Sequence, residues 1–145
     1  MICHPFFIVA PAPTSWFNTR MNKKTTLILG DIIALAILTV VGFATHGGIG
    51  ASHLSRMAAS FLPLSLAWFV LAPWFGLFNE TAVSNPKYLL RIPLVFLFVA
   101  PLAVIFRSVI LGIPVAPVFA FVLGSTNALG IFIWRLAHTF ITRRS

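Results

Sequence analysis

Asp31 stands inside an apolar run, and it is one of only two acids in the chain, the other being Glu80. A carboxylate held at membrane depth is costly, so it faces a bundle interior or a water-filled path and finds a cation. Two chemistries follow from that position. The acid can bind and release a proton or small cation on a transport path, or it can close an ion pair that clamps helices together. Arg135 is the first candidate partner, with Asn127 on nearly the same helical face, and Arg91 is the alternative.

A second polar group, Arg107 and His46, belongs toward the opposite side of the bilayer and is too distant to serve Asp31. His46 and His53 invite a metal reading, but two histidines seven residues apart in a Gly-rich loop lack a third ligand, so no metal is expected. The GGIG run of that loop has no following Lys-Ser/Thr and no preceding strand, so it is not a phosphate loop. Ser60, Ser65 and Asp31 form no recognisable triad. With one cysteine, Cys3, the chain has no internal disulfide and no cysteine-pair zinc site. No catalytic residue, no enzymatic activity and no cofactor are expected.

The elements that must position Asp31 follow from composition. Hydrophobic residues make up 59% of the 145 and charged residues 8%, far below the roughly one quarter of a soluble domain. Mean hydropathy is +1.02. Four apolar segments, at about 25–44, 57–78, 89–111 and 115–141, are each long enough to cross a hydrocarbon core of about 30 Å as a helix. Backbone groups in lipid must be satisfied within the segment, and no strand-like alternation is present. The fold class expected is therefore all-α: a single four-helix membrane bundle over residues 21–145 with short loops.

The ten Lys and Arg residues give a net charge of +8. In a soluble chain this would suggest nucleic acid, but here the charges flank apolar runs and act as topology signals. Arg20, Lys23, Lys24, Lys87, Arg91, Arg135, Arg143 and Arg144 fall on one side, Arg56 and Arg107 on the other. The positive-inside rule then predicts a multi-pass protein of the cell membrane with both termini cytoplasmic. Its partners are the lipid bilayer and no nucleic acid. Residues 1–20 hold three prolines and no helical period, and the chain restarts in membrane-protein style at Met21. They read as an extension ahead of the true start, with a surface-lying amphipathic stretch as the rival.

Small residues predict where helices approach: Gly42 on the Asp31 face of the first span, and Ala116, Ala120, Gly124 and Ala128 every four residues in the fourth. Pro63, Pro73 and Pro101 each remove a backbone donor and are expected to kink their spans. Trp68 is expected mid-span, packed internally.

The order of these features resembles a known family. An Asp early in the first span, GFATH at 42–46, PLSLAW at 63–68, a Pro before the third span, Arg107 near its end and a closing Trp134-Arg135 are similar to domain-of-unknown-function family 3054, DUF3054. These are small prokaryotic integral membrane proteins, and the resemblance covers Leu27 to Ala137. It implies that Asp31, Gly42, His46, Pro63, Trp68, Arg107, Trp134 and Arg135 occupy the family's recurring positions. The chain departs from the pattern at Phe43, where relatives tend to have Arg, and at Leu64 and Ala67. The resemblance implies an architecture and no activity.

Two functions remain open on the sequence. The leading expectation is transport or permeation of a small solute or ion, with Asp31 as the coupling acid and a homodimer supplying the shelter that four helices lack. The alternative is a structural or assembly subunit of a membrane complex, with Asp31–Arg135 as a packing ion pair.

Overall fold

The computed structural model describes residues 15–46, 50–79 and 85–144. Four helices account for most of them: α1 (Ser15–Thr45), α2 (Leu54–Leu71), α3 (Arg91–Leu111) and α4 (Pro117–Arg144). Short 3-10 turns, Ala51–His53 and Pro86–Leu90, lead into α2 and α3. No strand occurs among the described residues. Each helix supplies a stretch long and apolar enough to cross a membrane: Lys24–Thr45, Ala51–Leu71, Lys87–Leu111 and Pro117–Ile141, the second and third taking in the preceding turn.

The helices form a ring in which α2 packs on α3, α3 on α4, α4 on α1 and α1 on α2. Side-chain bonds fix their directions. Asp31, early in the membrane stretch of α1, meets Trp68 in the last turn of α2 and Arg135 toward the end of α4. Arg107, late in α3, meets Ser60 early in α2. Successive helices are therefore antiparallel.

The interior holds polar groups beside an apolar core that includes Leu35, Leu64, Trp68 and Ile131, and much of the exterior is apolar. Asp31, Thr39, Ser60, Asn127, Arg135 and His138 are buried, while Leu66, Val109, Val118 and Phe121 are at least 66% exposed. Lipid tails solvate aliphatic groups as well as a core does, so apolar side chains gain little by turning inward, and close packing must hold the helices. On α1 the inward stripe is Leu27, Asp31, Leu35 and Thr39, at the four-residue spacing of one helical face.

Two glycines set how closely α1 and α4 approach. The Trp134 indole of α4 lies on the backbone at Gly30, where a β-carbon would fall inside its ring. Reciprocally, Leu38 of α1 rests on Gly130. Between α3 and α4 the same role falls to Gly124, opposite the Ala100 methyl.

Several sequence expectations are corrected here. The second span stops at Leu71 instead of running to Phe78. Pro73 has no N–H to continue the ladder, and the chain turns over Ala72–Phe78 with Gly76 at φ +71°, so Pro73 ends a helix and does not kink one. Pro63 and Pro101 do lie inside α2 and α3. Among the described residues nothing lies within 4 Å of the missing β-carbon of Gly42, so it marks no close helix contact there. Ala116 precedes α4; its carbonyl accepts the first bond of the helix, from Ala120 N–H at 3.1 Å, with Pro117 in the opening position. Ala120 is half-buried and Ala128 buried. The first helix begins at Ser15, before the expected boundary at Thr25, and the fourth covers Pro117–Arg144 in place of 115–141. Residues 1–14 of the expected extension lie outside the described residues.

Gly30→Ala tests the α1–α4 contact. Thermal unfolding in detergent should show a loss of about 1–3 kcal/mol, the usual cost of overpacking. Gly42→Ala, in open space, should leave the midpoint unchanged in the same measurement.

Candidate functional site: a buried ion-pair clamp

Three helices and one turn converge on Asp31. Its side chain is fully buried, and Arg135 is 3% exposed. The guanidinium meets the carboxylate side-on, Nε donating to Oδ1 at 3.2 Å and Nη2 to Oδ2 at 2.5 Å. Oδ2 accepts a further bond from the Trp68 indole Nε1 at 3.1 Å. The remaining arm of the guanidinium, Nη1, donates to the Leu77 carbonyl at 2.7 Å. The guanidinium carbon also lies over two aromatic rings, 5.2 Å from the Trp68 centroid and 4.8 Å from that of Phe78. Planar, delocalised and always charged, arginine suits such a fork, and stacking adds a cation–π attraction.

The termination of α2 builds this site. Because the helix stops at Leu71, Trp68 falls in its last turn, level with Asp31, and not at mid-membrane as expected. The turn beyond it closes with Leu77 N–H on the Ala72 carbonyl at 3.1 Å. That closure presents the Leu77 carbonyl and the Phe78 ring to Arg135. Trp68 also stacks on Phe96 of α3, centroids 4.9 Å apart, which ties the fourth helix to the network.

Among the other candidates, Arg91 does not reach Asp31. It donates from Nη1 to the Phe75 carbonyl at 3.0 Å and lies over the Tyr88 ring, bracing the same turn from outside. Asn127 is buried, but its amide donates to the Leu123 carbonyl of its own helix at 2.8 Å. Arg107 and His46 do not pair: Arg107 donates from Nε to Ser60 Oγ at 2.9 Å and sits over Phe119, while His46 is exposed. Sequence reasoning missed the roles of the Leu77 carbonyl, Phe78, Gly30 and Gly130. A backbone carbonyl carries no side-chain signal, and both glycines fall outside the spaced small-residue rows.

Residues 28–138, which contain the whole clamp, match the family DUF3054, described as "Protein of unknown function (DUF3054)". The chain belongs to the DUF3054 family. No curated protein and no solved structure matches it. Membership assigns no reaction, so the membrane architecture rests on the four spans of this chain.

What the clamp can do is largely mechanical. Both carboxylate oxygens and three N–H groups of Arg135 are engaged inside the chain. Removing one member strands the other charge in the bundle, which costs about 3–5 kcal/mol. Asp31→Asn and Arg135→Gln should each lower stability by that order in detergent unfolding. The apolar pair Asp31→Leu with Arg135→Met should recover most of the loss, because it leaves neither charge unpaired. Trp68→Phe, which keeps a ring against Phe96 but loses the donor, should cost about 1 kcal/mol.

Proposed function

We propose that this DUF3054 protein is a structural or assembly subunit of a membrane complex, with Asp31–Arg135 fixing the geometry of its bundle, and that it performs no catalysis itself. The observation that carries this reading is the saturation of the Asp31 carboxylate by Arg135 and Trp68 within a fully buried site. A coupling acid must exchange its proton or cation with water during each cycle. Here that exchange would require breaking a side-on arginine fork and an indole bond together. The transport reading is therefore the weaker of the two.

The charge distribution extends the proposal to orientation. Lys24, Lys87 and Arg91 lie at the end of the bundle that holds the clamp, whereas Arg56 and Arg107 lie at the other. The positive-inside rule places the clamp end, and with it both termini, in the cytoplasm of a cell-membrane protein. A homodimer would be the smallest assembly of this kind.

Reconstituted vesicles decide between the readings. With the full chain in liposomes carrying an internal pH dye, an imposed proton or sodium gradient should decay no faster than in protein-free liposomes. A flux that appears with the wild type and vanishes in Asp31→Leu/Arg135→Met, a variant expected to fold, would restore transport. For orientation, a reporter fused after Ser145 should be active on the cytoplasmic side; activity outside would overturn the proposed topology.

A further inference from the structure

Among the described residues, the end of the bundle opposite the clamp carries two arginines and no acid. Arg107 lies in the last turns of α3, four residues before Leu111, or about 6 Å inside the helix end. Its Nε is held by Ser60 Oγ at 2.9 Å, and its guanidinium carbon sits 4.5 Å from the Phe119 ring centroid of α4. The same Ser60 hydroxyl donates to the Arg56 carbonyl at 2.9 Å, one turn earlier on α2. Ser60 thus links the Arg107 guanidinium to the α2 backbone at Arg56, which brings the two arginine positions to one rim.

Among the described residues, nothing anionic is placed to answer these charges. Asp31 is consumed by Arg135 at the far end. The start of α2 adds to the imbalance, since it has no acid in its first turn and no side-chain cap on His53. A helix N-terminus carries about half a positive charge, so three positive sources meet at one rim. Among the described residues, the terminal nitrogens of Arg107 and the exposed side chain of Arg56 donate to no protein acceptor. Like charges at the edge of a low-dielectric slab repel strongly unless an anion lies between them.

We propose that Arg107, held by Ser60, and Arg56, one turn before Ser60 on α2, form a binding site for a phosphate oxyanion at the α2–α3 rim. The planar donor fork of arginine matches phosphate oxygens, and Phe119 and Ser60 hold Arg107 so that its two terminal nitrogens remain available. The rim position suits the phosphodiester of a phospholipid headgroup, and a free phosphate ester presents the same chemistry. The proposal does not depend on the assembly reading.

The test is thermal unfolding of the purified full chain in neutral detergent, titrated at matched ionic strength with dioctanoylphosphatidylglycerol, sodium dimethyl phosphate or sodium chloride. The midpoint should rise with a phosphate probe and not with chloride. Arg56→Gln and Arg107→Gln should each weaken the apparent affinity for that probe about tenfold or more. A rise with the lipid alone assigns the site to a headgroup; a rise with dimethyl phosphate assigns it to phosphate esters in general. No rise with either phosphate, or a chloride response of equal size, overturns the proposal. So does an unchanged affinity in Arg56→Gln, whose exposed side chain has no described hydrogen bond to lose, so this variant decides the matter even where Arg107→Gln fails to fold.

Discussion

A carboxylate at membrane depth has to be answered from within the protein, and much of this structure follows from how Asp31 is answered. The lipid cannot hydrogen-bond it, and water is excluded from its position. A single point charge would leave oxygens unsatisfied; a planar fork on one side and an indole N–H on the other do not. Once that geometry is required, α4 must bring Arg135 level with Asp31, and α2 must end where Trp68 can reach. The guanidinium then needs an acceptor for its remaining arm, which comes from the turn after α2. One acid on α1 thereby constrains the lengths of two other helices and the shape of a loop.

The small residues solve a related problem. Helices surrounded by lipid gain little from burying aliphatic side chains, so their contacts depend on close approach. Gly30 lies beside Asp31 in sequence, and Trp134 beside Arg135. The indole seated on Gly30 therefore locks α1 to α4 next to the ion pair. Leu38 on Gly130 repeats the contact farther along the same interface. Polar pairing and steric fit act at adjacent positions, so a shift in one would disturb the other.

How far all this can be read from residues alone depends on range. Four spans were legible because hydropathy and length are local properties, and the Asp31–Arg135 partnership was legible because opposite directions of travel equalise their depths. The end of the second span was not. The hydrophobic run continues through Ala72–Phe78, and hydropathy cannot separate a membrane helix from an apolar turn. Pro73 with Gly76 held the signal of a stop, a residue without a donor followed by one that tolerates positive φ. Misplacing that stop moved Trp68 to mid-membrane and hid the indole bond. Spacing also misjudged Gly42 and Ala116, since a small-residue period marks a face without saying whether a neighbour covers it.

Charge accounting separates the two ends of the bundle more sharply than hydropathy does. With ten basic residues against two acids, the fold can neutralise very few cations internally, and the rest depend on their surroundings. Lys24 and Lys87 are exposed at the ends of their membrane stretches, where water and headgroups meet them without cost to packing. Arg91 is exposed too, yet uses a backbone carbonyl and an aromatic face. Among the described residues Arg107 has only a neutral hydroxyl and a phenyl ring as partners, and it stands within the span. A hydroxyl orients a guanidinium but does not neutralise it, and a ring face offsets a charge only in part. The buried charges of the clamp are thus answered by each other, whereas at the opposite rim no described acid answers Arg107, and an anion from outside the chain would complete it.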